Sequence, residues 1–294
     1  MKAVALLTRM LAMTLLAGTP AAIAAHAAHA ATDPERASLE QVLDRAGFLA
    51  DPFAGAGAAA AFGDRRVSQS LKAGAPALRV EYGANDAAGR PREATVTVER
   101  AVEGTLEIRR ADEHGRDQVV SKSLRNECAQ QVVLRRMSTP DDLSASRWHV
   151  VSVSAVVGLT PAGSAALPLV DLDTHAVSSG FLSTQSDVSE LAAYPQTCAV
   201  TAPGDSVRVF VGGLDADAAV CVFAGGTRVA AVRRDASHAE ATVRVDGAGL
   251  GRIGVTVYSG RTLSDAAAPA DTRTWVLPIM VGAPPPRSQE WFAL

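Results

Sequence analysis

Alternation of apolar and polar residues with a period of two dominates the chain from Val67 onward. Four long segments show it, at residues 76–83, 93–110, 118–137 and 146–158, and turn-forming residues such as Asn85-Asp86 and Thr139-Pro140 separate them. Because successive side chains of a strand point to opposite faces, the pattern predicts long antiparallel strands.

The segment before these strands, residues 33–62, is rich in alanine and has a helical spacing at Leu39, Val42 and Leu43. Asp33 before Pro34 predicts a helix N-cap with proline at the first helical position. Gly47 and Pro52 are expected to divide the segment into two short helices. Helices ahead of long strands predict an α+β layer, in which the helices cover one face of a curved antiparallel sheet.

From Thr197 the pattern changes to about seven short strands separated by turns such as Pro203-Gly204 and Asp246-Gly247. This spacing predicts an all-β, immunoglobulin-like sandwich. The predicted fold class is therefore mixed, α+β followed by the sandwich. The predicted organisation is a leader (1–30), an α+β domain (31–166), a connecting strand and linker (167–196), the sandwich (197–282) and a proline-rich tail (283–294).

Two resemblances accompany this prediction. Residues 35–158, and the strand RWHVVSVS (147–154) in particular, resemble the cone-shaped nuclear transport factor-like or cystatin-like fold. Residues 197–282, with APGDSVRVFV (202–211) and TLSDAAAPADTRTWVLPIMV (262–281), resemble bacterial extracellular Ig-like modules of the choice-of-anchor type. The first resemblance implies either a catalytic interior or a non-catalytic binding module. The second implies a spacer or protein-binding domain.

The N-terminus has the features of an export signal. Lys2 and Arg9 precede an apolar run at residues 11–17, and Ala28-His29-Ala30 forms a small-residue cleavage site. The run is shorter than the ~20 residues that a membrane-spanning helix needs. We expect a periplasmic or secreted chain without a membrane span after cleavage near Ala30.

Charge narrows the range of partners. The full chain carries a net charge of −3, and loss of the leader's two basic residues leaves the mature chain at −5. A mildly acidic chain without a basic run is not expected to bind nucleic acid. The expected partner is a protein or another cell-envelope component, and the sequence does not define an oligomeric state.

Acidic residues occur in two loops at one end of the predicted sandwich. The four carboxylates are those of Asp215, Asp217, Asp265 and Asp271. Together they would offer the oxygen ligands that Ca²⁺ prefers. The alternative is a solvated tip, since Asp also supports turn geometry and Arg261 and Arg273 flank the second loop.

The three cysteines allow at most one intramolecular disulfide. Cys198 and Cys221 lie on the first and third strands of the predicted sandwich, and an exported chain can keep a disulfide between them. This pairing is favoured over Cys128–Cys198. The alternative is that all three are buried free thiols.

Other chemistry-bearing residues have simpler explanations. Asp171, Asp173 and His175 would share one strand face, as metal ligands or as a solvated face. The remaining candidates are His149, Glu81, Glu99 and Glu127, and for the glutamates cross-strand ion pairs with neighbouring arginines are expected. No motif predicts a catalytic set, a metal site or a cofactor.

These patterns favour a non-catalytic exported binding or structural module. The alternative is a small-molecule-binding protein or enzyme that uses the interior of the N-terminal cone. An enclosed pocket with a buried acid or histidine would favour that alternative, and an interior filled by side chains would favour the module. In residues 272–281, the alternation also predicts that Trp275, Leu277 and Ile279 face the core.

Overall fold

A computed structural model describes residues 34–54, 59–111, 116–139, 142–161, 169–174, 182–185, 192–193 and 199–282. The predicted leader, the Asp33 cap and the proline-rich tail lie outside these residues. Within them, no helix is long and apolar enough to cross a membrane.

The described residues contain two helices, α1 (Pro34–Arg45) and α2 (Gly260–Ser264). The strands, in chain order, are β1 (Ala60–Phe62), β2 (Arg65–Ala73), β3 (Ala77–Tyr82), β4 (Glu93–Ala111), β5 (Asp117–Thr139), β6 (Asp142–Val153), β7 (Val156–Leu159), β8 (Leu169–Thr174), β9 (Leu182–Gln185), β10 (Ala192–Ala193), β11 (Ala199–Thr201), β12 (Ser206–Gly212), β13 (Ala219–Ala224), β14 (Thr227–Ala230), β15 (Val232–Arg233), β16 (Ala239–Arg244), β17 (Gly249–Tyr258) and β18 (Thr272–Val281).

Helix α1 ends at a glycine, as the sequence predicts. Gly47 has a φ of +80°, its N–H donates to Asp44 O (2.9 Å), and the N–H of Phe48 donates to Leu43 O (2.9 Å). These are the two bonds of a Schellman cap, which needs a residue in the left-handed region. The expected second helix is absent from residues 46–54, which form turns.

Helix α1 covers the halves of β4 and β5 that lie beside β6. Leu39 and Leu43 are fully buried in a cluster with Val96, Val132 and Trp148. Burial of each leucine contributes roughly 1.5–3 kcal/mol. The carboxylate of Glu35 also accepts hydrogen bonds from Trp148 Nε1 (3.1 Å) and from Arg136.

One long sheet contains most of the strands and runs in the order β1-β2-β4-β5-β7-β18-β17-β13-β14. β7 is the junction, because it pairs with β5 on one side and with β18 on the other. The sheet curls until β1 contacts β14, although these two strands form no ladder. The result is a nearly closed, barrel-like sheet.

A second sheet, β15-β16-β12-β8-β9, packs against the outside of β13, β17 and β18. The cluster between the two sheets includes Val209, Val255 and, as predicted, Trp275, Leu277 and Ile279. The other face of β18 looks into the curled sheet, so all ten residues of this strand are buried.

The predicted fold class is wrong. The protein is mostly β, and the strands assigned to an α+β domain and to a separate Ig-like sandwich form one continuous sheet through β7. In a sandwich, each sheet has one face in contact with solvent, whereas β18 is covered on both faces. The predicted domain boundaries remain a prediction, and much of the predicted linker lies outside the described residues.

Candidate functional site

The interior of the curled sheet is the place where a ligand or substrate would be enclosed. Residues paired in register point to the same face of a sheet, so one row of residues faces the interior from β13 to β4. That row is Cys221, Thr256, Thr274, Gly158, Cys128 and Arg100. The two threonine hydroxyls are 3.0 Å apart, so they satisfy each other across β17 and β18.

A hydrogen-bonded cluster fills the part of the interior next to this row. Tyr258 OH donates to Gln69 Oε1 (3.2 Å), and Arg228 bonds both to Tyr258 OH and, through Nε, to Cys221 Sγ (2.8 Å). All four side chains are buried. Burial raises the pKa of the Cys221 thiol, against the opposing effect of Arg228, and so disfavours the thiolate, which is the nucleophilic form.

The loop at residues 46–54 closes one end of the interior. Phe53 packs on Phe223 with ring centroids 6.4 Å apart. Two arginines of the sheet hold this loop through its carbonyl groups. Arg100 donates to Leu49 O (2.8 Å), and Arg252 donates to Gly47 O and to Asp51 O (3.3 Å).

Helix α2 and the turn after it close the other end. Leu263 and Ala270 join the interior cluster, and buried Lys122 on β5 donates to Asp265 O (2.6 Å) and Ala268 O (2.8 Å). Burial lowers the pKa of Lys122, and the nearby Asp265 opposes that shift. Both ends are therefore closed by loops whose carbonyls accept hydrogen bonds from basic side chains of the sheet.

The four aspartates of the predicted cation tip have separate local environments. The Asp217 carboxylate packs against Gly260, where an added Cβ would lie 1.9 Å from Oδ2. Asp265 Oδ1 accepts from Ala267 N (2.9 Å), and the backbone of Asp271 bonds to Thr262 Oγ1. Asp215 contributes a carbonyl that accepts from Arg233. In the part of the chain that the structure describes, no three acids, histidines or cysteines are grouped as metal ligands.

The cysteine pairing is not tested by the described residues, because Cys198 lies outside them. Cys221 is buried, forms no disulfide with another described residue, and lies beside Thr256 on β17. Cys128 is likewise buried and without a disulfide to the described part of the chain, and burial raises the pKa of its thiol to about 12. The Cys198–Cys221 disulfide therefore stays a prediction.

Asp173 is buried on β8, and its carboxylate pairs with Arg208 on β12 at 2.7 Å. Asp171 lies on the same strand, and His175 lies outside the described residues. The structure explains Asp173 as the partner of an arginine on the neighbouring strand.

The remaining candidates lie on β3 to β6. His149 lies beside Arg135 in the β5–β6 register. Glu81 pairs with Arg79 (3.8 Å) along one strand, and Glu127 pairs with Arg125 (3.0 Å) in the same way. Glu99 is exposed on β4. The expected cross-strand pairs occur between other residues, Arg135 with Glu93 (3.1 Å) and Arg125 with Glu103 (3.7 Å).

Sequence reasoning missed the buried basic residues that hold the two ends, although the pattern contains a signal for them. Arg100 is in phase with Val98 and Val102, which are buried. Lys122 is in phase with Leu124, which is buried, and with Val120, which is partly buried. A basic residue in the apolar phase of a strand indicates a buried cation with a specific acceptor, because an unpaired buried charge is costly.

No protein-family model matches the chain, and no curated protein matches it at a significant level.

Proposed function

We propose that this chain is an exported, non-catalytic module that binds or holds another protein or component of the cell envelope. One observation carries the proposal: packed side chains fill the interior of the curled sheet. Apolar clusters around Leu106 and Val276 occupy it, together with the hydrogen-bonded cluster at Tyr258.

The alternative, a small-molecule-binding protein or enzyme, would use this interior. The buried polar groups of the described interior are hydroxyl, amide, thiol and basic groups that bond to one another or to loop carbonyls. The buried carboxylate of Asp173 lies in the second sheet and pairs with Arg208. This arrangement supports a packing role for the interior, and we therefore propose the outer surface as the binding site.

Export is part of the proposal and has a separate test. N-terminal sequencing of the exported chain should give a terminus close to Ala31, because the leader ends in Ala28-His29-Ala30. An exported chain that still begins at Met1 would contradict cleavage at this site.

The binding role is tested by crosslinking the mature chain to a cell-envelope extract, with photoreactive residues placed one at a time at exposed and buried positions. Val119 and Val232 are exposed positions with 48% and 64% of their surface accessible, and Val255 is a buried control. We expect a specific adduct when the photoreactive residue is at an exposed position. This adduct should disappear when a neighbouring surface residue is changed to lysine, in a variant that is as stable as the parent.

The contrary result would be that a small molecule raises the melting temperature of the parent saturably but does not do so in Gln69→Leu or Tyr258→Phe. Each of these interior substitutions keeps nearly the size of the original side chain. This result would favour the alternative.

A further inference from the structure

A cavity of about 10 Å³, large enough for one water-sized particle, lies between the loop at residues 46–54 and the sheet. Pro52 lines it from the loop side. Arg100, Cys128 and Arg252 line it from β4, β5 and β17. Two guanidinium groups from different strands therefore border one small cavity.

These two arginines have more donor capacity than the loop uses. A guanidinium has about five N–H donors. Within the described residues, Arg100 gives one hydrogen bond, to Leu49 O, and Arg252 gives two, to Gly47 O and Asp51 O. All three acceptors are neutral carbonyl groups, so these bonds fix the arginines in place without neutralising them.

The charge around the cavity is unbalanced. Two carboxylates act on the side chains that line the cavity. Asp51 lies in the loop, and its Oδ1 accepts from Phe53 N (2.8 Å), whereas Glu127 is exposed and pairs with Arg125 (3.0 Å). The Cys128 thiol adds no negative charge, because burial raises its pKa to about 12. Burial and the charge of Arg100 also lower the pKa of Arg252. Among the described residues, two guanidinium groups therefore border the cavity, with Asp51 as the carboxylate of the loop beside them. Arg100 is 8% exposed, and Arg252 is partly buried.

We propose that this cavity binds one small anion of the size of chloride between Arg100 and Arg252. Burying a charge is costly unless an opposite charge compensates it, and a monovalent anion supplies that charge in the space available. The anion connects β4 to β17 beneath the loop and so stabilises the closed end of the interior. This site is independent of the proposed binding role of the outer surface.

The test is thermal unfolding of the mature chain in increasing sodium chloride, with sodium gluconate keeping the ionic strength constant. We expect the melting temperature to rise and then saturate with chloride, with bromide acting in the same way. Arg100→Gln and Arg252→Gln should each raise the half-saturating chloride concentration at least about tenfold, because each removes a charged partner of the anion. Arg135→Gln is the matched control, since this arginine is exposed and pairs with Glu93.

Two further measurements keep the test decisive if the arginine variants do not fold. Val156→Ile adds one methylene to the wall of the cavity without changing charge, and it should abolish the chloride-dependent rise. With the unaltered chain, the ³⁵Cl resonance should broaden, and added bromide should reverse the broadening. A melting temperature that is independent of chloride, or a rise that Val156→Ile leaves unchanged, would overturn the proposal.

Discussion

Trp275 has the largest side chain among the fully buried residues of the described chain. It lies between the two sheets, and its Nε1 has no hydrogen-bond partner among the described residues. Its contribution is therefore apolar packing. We expect Trp275→Ala to lower the free energy of unfolding by ~3–5 kcal/mol, measured by denaturant unfolding of the full chain.

Two substitutions separate this effect from a general one. Trp275→Phe keeps much of the apolar area and removes the unpaired N–H, so it should cost clearly less than Trp275→Ala. Val232→Ala, at a position that is 64% exposed, should stay within about 0.5 kcal/mol of the parent. A Trp275→Ala chain as stable as the parent would show that this side chain does not support the core.

Asp235 illustrates a different residue-scale effect, in which an exposed carboxylate organises a turn. Its Oδ1 accepts from Ser237 N (2.8 Å) and His238 N (2.9 Å). The bond from Ser237 N and the hydrogen bond with His238 lower the pKa of Asp235 to about 2. Because the folded pKa lies below the unfolded value, the stabilisation is present above about pH 4 and is lost as the pH falls through 2.

We therefore expect the Asp235 carboxyl carbon to titrate near pH 2 in an NMR experiment. The stability difference between the parent and Asp235→Ala should shrink as the pH falls from 5 towards 2. A midpoint near the ordinary value of 3.8 would show that the turn does not hold the carboxylate as described.

At the scale of elements, close packing inside the curled sheet depends on a glycine opposite an aromatic ring. A Cβ on Gly254 of β17 would lie 1.9 Å from Phe223 Cζ on β13. Gly254→Ala should therefore destabilise the chain by about 1–3 kcal/mol through overpacking.

The double substitution tests this cause. Phe223→Leu frees the space above Gly254, so Gly254→Ala should cost less in the Phe223→Leu background, with a coupling energy of about 0.5–3 kcal/mol. Additive effects, measured by denaturant unfolding of all four chains, would mean that the loss has another origin.

Lys122 provides a second test at the element scale, because it connects β5 to the turn after α2. Lys122→Met keeps the length of the side chain and removes the bonds to Asp265 O and Ala268 O. We expect the amides of Ala267 and Ala268 to exchange hydrogen faster than in the parent, because the turn opens locally.

Lys72→Met is the matched control for this exchange experiment, since Lys72 is exposed on β2. It should leave the exchange rates of the turn unchanged. Equal exchange of the turn in the parent and in Lys122→Met would show that the lysine does not hold it.

Local sequence patterns predict where the strands lie and which residues share a face better than they predict which strands pair with each other. Alternation in β18 predicts that Trp275, Leu277 and Ile279 face one core, and this is confirmed. The pattern does not predict burial of the opposite face, but Thr274 and Val276 lie inside the curled sheet. Period two assigns residues to two faces, but only the neighbouring strands decide whether the second face is covered.

The same limit explains the incorrect fold class and the missed site residues. The pairing of β7 with β18 joins Val157 to Trp275, residues far apart in the chain. No local signal of residues 156–159 specifies such a pairing, so the sequence pattern predicts a domain boundary where its period changes. Arg100 and Lys122 have an in-phase signal, but their acceptors lie in distant loops that only the fold brings near.

At the scale of the whole molecule, continuity of the long sheet determines how the chain should unfold. β7 pairs with β5 and β18 at once, so the N-terminal and C-terminal strands share a ladder and an interior. Cys128 on β5 and Val276 on β18 belong to one apolar cluster, and these two strands lie on either side of β7 in the sheet. Separate unfolding of either half would expose this shared interior, which predicts one cooperative transition.

Tryptophan fluorescence can test this expectation, because each half contains a buried reporter. Trp148 lies under α1, and Trp275 lies between the two sheets. In a Trp291→Phe background, the variants Trp148→Phe and Trp275→Phe each leave one reporter. In each variant, we expect the midpoint of the fluorescence change to equal the midpoint of unfolding measured by calorimetry.

Gly158→Val on β7 makes the test sharper, since a Cβ there would lie 2.9 Å from Cys128 Sγ. This substitution disturbs the junction itself, so it should lower the midpoints of both reporters equally. Two separate transitions, with only one of them shifted by Gly158→Val, would mean that the halves are independent domains. In that case the continuous sheet would connect two units that unfold independently of each other.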